Sequence, residues 1–97
     1  MTLSLSSVVV ATTDQLSSEL GGEAVILHMS RGVYFGLDEV GTRIWSLVQT
    51  PRRVSDVCAA LQREYEVDAE RCQDAVLRLL GEMLDGGLVE VADESAA

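Results

Sequence analysis

The 97-residue chain has no lysine, one proline, few aromatic residues and no long apolar run. A membrane-spanning helix needs about 20 predominantly apolar residues in succession, so the sequence predicts no membrane span. A secretory signal begins with a basic segment before its apolar core. No basic residue precedes the short apolar patch Val8 to Ala11, and we therefore do not expect a signal peptide.

Positive charge is also scarce, since seven arginines stand against 16 acidic residues and the net charge is −9. Proteins bind nucleic acid chiefly by neutralising its phosphates with Lys and Arg. This charge balance therefore argues against a nucleic-acid partner. An acidic surface favours solubility and gives a weak preference for basic or neutral peptides.

The sequence lacks the side-chain groupings that form catalytic or metal sites. Cys58 and Cys72 match no metal or redox spacing, and His28 is the single histidine. Both cysteines lie in helical patterns and are expected to be small buried hydrophobic residues in a reducing cytoplasm. A general base needs a nucleophile or an acid within hydrogen-bond reach, and the sequence indicates no such partner for His28. We expect no catalytic residue, no metal and no cofactor.

The length and a hydrophobic content of 47% predict one domain with one small core. We place a flexible N-terminal arm at residues 1–13, a single domain at residues 14–91 and a loose C-terminal tail at residues 92–97. Within the arm, Val8 to Thr13 is suited to an extended conformation, but nothing in the sequence indicates what it packs against.

A β-hairpin is predicted between Glu23 and Leu37. The segment Ser30-Arg31-Gly32 is typical of a three-residue loop with its glycine in the left-handed conformation. Such a loop pairs Met29 with Val33 and places the apolar side chains of both strands on one face. That face would carry Val25, Leu27, Met29, Val33, Phe35 and Leu37. The opposite face would keep Ile26, His28 and Tyr34 mostly exposed.

Three helices are predicted after the hairpin. Asp38, Ser55 and Asp68 can each cap a helix N-terminus through a side-chain oxygen, and apolar residues recur at helical spacing after each of them. The third helix is the longest, and Gly86-Gly87 is suited to end it with a left-handed C-cap before a short closing strand. The expected core includes Phe35, Ile44, Leu61, Val76 and Leu79.

These elements predict an α+β, winged-helix-like fold, in which a small antiparallel sheet of three strands is followed by three packed helices. A sheet of this size cannot bury its own apolar face. The helices must therefore pack against it.

The stretch from Met29 to Val48, MSRGVYFGLDEVGTRIWSLV, has the most distinctive pattern in the chain. Its aromatic pair Tyr34-Phe35 is followed by Gly-Leu, the acidic Asp38, Glu-Val-Gly and the pair Ile44-Trp45. This pattern resembles the PqqD-like family, the peptide-recognition elements of pathways that make natural products from ribosomal peptides. It is most similar to the small stand-alone proteins of lasso-peptide clusters. The resemblance covers roughly residues 14 to 90, although the N-terminal arm is long and Asp38 stands where an amide is common.

The resemblance implies a non-catalytic module that binds the leader region of a precursor peptide. In the family, the leader adds as a strand to the sheet and lies against the third helix. The matching positions in this chain are Val33, Tyr34, Phe35, Gly36, Arg71, Asp74, Ala75 and Arg78. The implied partners are the precursor leader and a cysteine-protease-like leader peptidase, with an ATP-dependent cyclase as a further candidate.

Two alternatives stay open on the residues alone. The flank of the third helix with Arg71 and Arg78 also fits a solvated face in which Asp74 and Arg78 form an i,i+4 ion pair. The alternative function is a winged-helix DNA-binding or regulatory protein, although the third helix carries four acidic residues against these two arginines. The sequence leaves open which precursor and tailoring enzymes are involved, and whether the chain self-associates through a strand edge.

Overall fold

Residues 3–92 are described in the structure, a computed structural model. Within this range the elements follow in chain order as β1 (Val8–Ala11), β2 (Gln15–Leu20), β3 (Glu23–His28), β4 (Val33–Leu37), α1 (Glu39–Leu47), β5 (Arg52–Arg53), α2 (Val54–Glu64), α3 (Ala69–Asp85) and β6 (Val89–Val91). The predicted α+β class is confirmed. No helix in this part of the chain is long and apolar enough to span a membrane.

The strands form two small antiparallel sheets rather than one. Strands β2, β3 and β4 make a three-stranded meander, which is the sheet that the hairpin pattern predicts. The other sheet has the order β5-β1-β6 and was not predicted. Its central strand, β1, lies in the segment assigned to an N-terminal arm, and Val9 is fully buried in the core. Met1, Thr2 and most of the predicted tail lie outside the described residues.

The predicted register of the β3–β4 hairpin is wrong by one residue. His28, not Met29, pairs with Val33, and the loop has four residues with Gly32 at a φ of 66°. The face of β3 that packs on the helices therefore carries Ala24, Ile26 and His28, which are all buried.

The reason for this error lies in the composition of β3, which is apolar on both faces. Alternation alone cannot choose between two apolar faces. The choice is made by α1 and α3. Thr42 Oγ1 of α1 accepts a hydrogen bond from the Ala24 backbone N–H at 2.8 Å, and the His28 ring packs on the backbone at Gly87.

The helix ends follow local sequence signals, with one exception. Asp38 accepts from the Gly41 N–H at 2.8 Å and Asp68 accepts from the Arg71 N–H, so both predicted N-caps are confirmed. The predicted cap at Ser55 is wrong, because α2 begins at Val54 and Arg53 occupies the cap position without a side-chain bond.

The predicted C-cap of α3 is confirmed. Gly87 has a φ of 79°, and the Gly87 and Leu88 N–H groups bond to the Leu84 and Met83 carbonyls, respectively. This is the bonding pattern of a Schellman motif. The backbone then leads directly into β6.

One core joins the helices to both sheets. Three of the five predicted core residues, Ile44, Leu61 and Val76, are buried, whereas Phe35 and Leu79 are half-buried and pack against the core from its edge. The fully buried side chains come from β1, β3, β6 and all three helices: Val9, Ile26, Ile44, Val48, Val54, Val57, Val76, Leu80, Met83, Leu88 and Val89 among others.

The register can be tested with a neighbouring pair of residues on β3. Ile26 is fully buried, so Ile26→Ala should lower the free energy of unfolding by about 2–5 kcal/mol. Val25 is 48% exposed, and Val25→Ala should change it by less than about 1 kcal/mol. Urea denaturation measures both values. The reverse order of the two losses would restore the register in which Met29 pairs with Val33.

Candidate functional site

A groove runs between α3 and the segment in which β4 passes into α1. Its first part has a volume of about 450 Å³ and is lined at the strand end by Gly36 and Leu37 and on α3 by Ala75 and Arg78. Its second part, of about 470 Å³, continues toward the linker between α2 and α3. Val40, Ile44 and Ala75 line both parts. We call this continuous depression the α3 groove.

The wall opposite α3 is fixed by the start of α1. The Asp38 carboxylate caps this helix through the Gly41 N–H. A Cβ added at Gly41 would lie only 3.2–3.3 Å from Asp38 and Leu37 atoms, so the chain turns tightly there. The turn brings the exposed Val40 side chain to the groove. A two-point ion pair between Arg43 and Glu64, at 2.8 and 2.7 Å, then fastens α1 to α2.

The ion pair shifts the pKa of both groups. Its hydrogen bonds hold the pKa of the Glu64 carboxyl below its usual range and raise the pKa of Arg43. Both side chains are more than one-third exposed, so solvent screens their attraction. The pair therefore adds little to the stability and serves mainly to orient α1 against α2.

Strand β4 is an edge of its sheet within residues 3–92, because it pairs only with β3. On such an edge the N–H and C=O groups of alternate residues have no strand partner. Gly36 is exposed, and a Cβ added there would have no atom within 4 Å. An additional backbone can therefore approach the edge closely at the mouth of the α3 groove.

The groove is apolar inside with charge at its rim. The part nearest α2 is lined by Ile44, Leu61, Tyr65, Val67, Cys72 and Val76, with Arg71 at the side. Arg78 and Glu82 lie at the part nearest β4. Among residues 3–92 neither Arg71 nor Arg78 forms a salt bridge, so the i,i+4 pair between Asp74 and Arg78 is absent. Both guanidinium groups are available to a ligand.

The structure brings four of the eight predicted site residues to the groove: Gly36, Arg71, Ala75 and Arg78. Val33 and Tyr34 are exposed on β4 outside the groove lining. Asp74 is exposed on α3 and lines neither part of the groove. Phe35 is half-buried, with its ring against Gly86.

The sequence analysis missed most of the other residues that line the groove, among them Val40, Tyr65 and Val67. Tyr65 and Val67 lie in the short linker between α2 and α3, where polar residues are the usual choice. The presence of an aromatic and a β-branched residue in a four-residue linker was the signal that indicated this end of the groove. Val40, an apolar residue in the exposed first turn of α1, was a weaker signal of the same kind.

The surroundings of His28 and of the two cysteines indicate structural roles. His28 Nδ1 accepts a hydrogen bond from the Arg31 N–H at 3.3 Å, inside the hairpin loop and away from the groove. Burial, together with the neighbouring Cys72, raises the pKa of the Cys58 thiol to about 11. Cys58 is therefore a neutral thiol near pH 7 and a poor nucleophile. Within residues 3–92 no group of three or more His, Cys, Asp or Glu side chains is arranged to hold a metal ion.

The packing of the Phe35 ring against Gly86 can be tested by substitution. A Cβ at Gly86 would lie 2.5 Å from Phe35 Cζ, so Gly86→Ala should lower the free energy of unfolding by about 1–3 kcal/mol. In a Phe35→Ala background the further loss should nearly vanish, since the clashing ring is gone. Urea denaturation of the four proteins of this cycle gives the coupling.

Gly81→Ala is the matched control for this cycle. Gly81 lies within α3, and a Cβ added there meets no atom within 4 Å. Its replacement should stabilise the helix by about 0.4–1 kcal/mol. If Gly86→Ala is as stable as Gly81→Ala, the Phe35 ring does not sit on Gly86.

Known proteins share this architecture. The family model described as Coenzyme PQQ synthesis protein D (PqqD) matches residues 23–89. The solved structure of TbiB1 in complex with the TbiA(beta) leader peptide is 33% identical in sequence, with a TM-score of 0.77. The alignment covers 84% of this chain and 94% of TbiB1.

A second solved structure, lasso peptide synthetase B1 complexed with the leader peptide, has a TM-score of 0.74. It covers 84% of this chain and 96% of that protein, but the sequence identity of 18% supports the shared fold alone. No curated protein sequence matches this chain.

Proposed function

The chain belongs to the PqqD family, and we propose that it binds the leader region of a ribosomally made precursor peptide and presents it to the enzymes that process that peptide. The observation that carries this proposal is the free edge of β4 at the mouth of the α3 groove. A related protein of 33% identity, TbiB1, has been solved with a leader peptide.

An extended peptide can pair with the β4 edge and fill the α3 groove at the same time. Its backbone adds to the five residues of β4, which offer about 17 Å of unpaired edge. Its side chains alternate, so every second one enters the α3 groove. The open space beside Gly36 lets the two backbones approach, since no side chain intervenes.

Specificity comes from what the groove can accept. Its apolar interior, closed by Tyr65 and Val67 at the α2 end, suits an apolar or aromatic side chain of the leader. Arg71 and Arg78 at the rim can hold a carboxylate or backbone carbonyl of the peptide through charge-assisted hydrogen bonds. The affinity then rests largely on main-chain bonds, and selection among leaders rests on a few side chains.

The partners of the module follow from this role. It performs no reaction itself and raises the rate of a cysteine-protease-like leader peptidase by holding the substrate in reach. An ATP-dependent cyclase is a further candidate recipient. No observation favours the DNA-binding alternative, because α3 exposes Glu70, Asp74, Glu82 and Asp85 beside its two arginines.

The groove can be tested by filling it. Ala75 is exposed and lines both parts of the α3 groove, so Ala75→Arg should occlude it without disturbing the core. We expect the affinity for the leader to fall by about tenfold or more. Fluorescence polarisation measures this with a fluorescein-labelled precursor leader peptide.

Ala59→Arg is the matched control, because Ala59 is an exposed alanine on α2 that does not line the groove. It should bind the leader as the wild type does. Both variants should melt within about 2 °C of wild type, as expected for exposed helical sites. A folded Ala75→Arg protein that binds the leader as tightly as wild type would place the binding site elsewhere.

The absence of catalysis is tested with the same precursor. Purified protein alone should leave the precursor mass unchanged over a long incubation, as expected of a module that only binds. Addition of the peptidase should release the leader faster when the module is present. Intact-mass spectrometry follows both reactions, and a mass change with the module alone would contradict the proposal.

A further inference from the structure

Two cysteine side chains lie next to each other at the α2 end of the α3 groove. Cys58 is on α2, and Cys72 follows it by 14 residues at the start of α3, with its Sγ 3.8 Å from the Cys58 carbonyl oxygen. Both thiols are free and buried. Burial is the main cause of the raised pKa of the Cys58 thiol, and its contact with the Cys72 side chain adds to this shift. The two thiols are therefore neighbours across the α2–α3 interface.

The two thiols differ in their access to the groove. Cys72 lines the part of the α3 groove nearest α2, together with Leu61 and Val76, whereas Cys58 lines neither part. A small reagent that enters the empty groove therefore reaches Cys72 first. Cys58 lies behind it in the core, which is the position of a resolving thiol beside an attacking one.

We propose that Cys58 and Cys72 form a reversible disulfide by exchange with a small disulfide such as oxidised glutathione, and that this bond weakens leader binding. The effect on binding rests on the proposed function, since it requires the leader to lie in the α3 groove. The disulfide itself depends only on the contact between the two cysteines and on the access to Cys72.

The exchange takes place in two steps that balance. The Cys72 thiolate attacks one sulfur of oxidised glutathione, whose S–S bond breaks, and the first glutathione thiol leaves with the proton that Cys72 gave up. The Cys58 thiolate then attacks the Cys72 sulfur of the mixed disulfide. This step releases the second glutathione, which takes the proton of Cys58. The two cysteines are oxidised, and the two electrons are retained in the two glutathione thiols.

The disulfide narrows the groove because it changes the spacing of the helices that form it. Two bonded sulfurs lie much closer together than two thiols in contact. The interior is close-packed, so the start of α3 must move towards α2 when the bond forms. The part of the groove nearest α2 has Leu61 on one of these helices and Val76 on the other. An apolar leader side chain then has less room between them.

The coupling is reciprocal, since a leader in the groove covers Cys72. Cys58→Ala isolates the first step of the exchange, because no resolving thiol is left and Cys58 does not line the groove. Leader at about ten times its Kd should slow the addition of glutathione to this variant by about tenfold. An unchanged rate would show that the oxidant does not reach Cys72 through the groove and would overturn the inference.

The chemistry is tested by incubating three proteins with oxidised glutathione and measuring their intact masses. The wild type should lose the mass of two hydrogen atoms as the disulfide closes. Cys58→Ala should gain one glutathione at Cys72 and react no further. Cys72→Ala is the matched control, because its remaining thiol is not reached from the groove, and its mass should not change. Cys58→Ser and Cys72→Ser give the same comparison if an alanine variant does not fold.

The effect on the groove is measured by fluorescence polarisation with the labelled leader. Oxidised wild type should bind the leader about tenfold more weakly than reduced wild type, and dithiothreitol should restore the affinity. The oxidised protein should also melt about 5 °C or more above the reduced one, because the bond constrains the unfolded chain. A lower affinity together with a higher melting temperature distinguishes a narrowed groove from an unfolded protein.

The outcomes separate this inference from the proposed function. The inference is overturned if the wild type keeps both thiols free in oxidised glutathione, or if Cys72→Ala is modified and Cys58→Ala is not. It is also overturned if the oxidised protein binds the leader within about twofold of the reduced protein. Failure of the reduced protein to bind the leader would contradict the proposed function, and the mass measurements do not depend on that binding.

Discussion

The close approach of the β3–β4 hairpin to the C-terminal end of α3 is the constraint on which the rest of the site depends. Two consecutive glycines make it possible, since Phe35 occupies the space that a side chain at Gly86 would fill and His28 does the same at Gly87. Arg31 adds a hydrogen bond from the hairpin loop to the Asp85 carbonyl at 3.1 Å. These contacts hold β4 beside α3 at a separation that leaves the α3 groove open.

This arrangement suits the recognition of an extended peptide. The groove offers an open strand edge, an apolar interior and two arginines without salt bridges among residues 3–92. His28, at the end of β3, lies outside the groove lining, and burial keeps the Cys58 thiol neutral near pH 7. A peptide that adds to a strand edge binds mainly through its backbone. Only a few of its side chains are then needed to distinguish it from other peptides.

Local signals in the sequence predicted much of the fold. The caps at Asp38 and Asp68 and the C-cap at Gly87 depend on interactions within four or five residues, and the sequence therefore indicated them correctly. The aromatic pair and the turn into α1 also led to the PqqD-like resemblance. Four of the eight site residues that this resemblance implied, Gly36, Arg71, Ala75 and Arg78, line the groove.

The sequence by itself determined where α1 and α3 begin and where α3 ends, because the caps at Asp38, Asp68 and Gly87 bond to neighbouring residues of the chain. Only the tertiary structure decided which face of β3 is buried, because Val25 and Ile26 are both apolar and the choice depends on contacts with Thr42 and Gly87 far along the chain. It also decided that β1 joins β5 and β6, which lie more than 40 residues away. Such pairings leave no local pattern, since their energy comes from surfaces that meet only after the chain has folded.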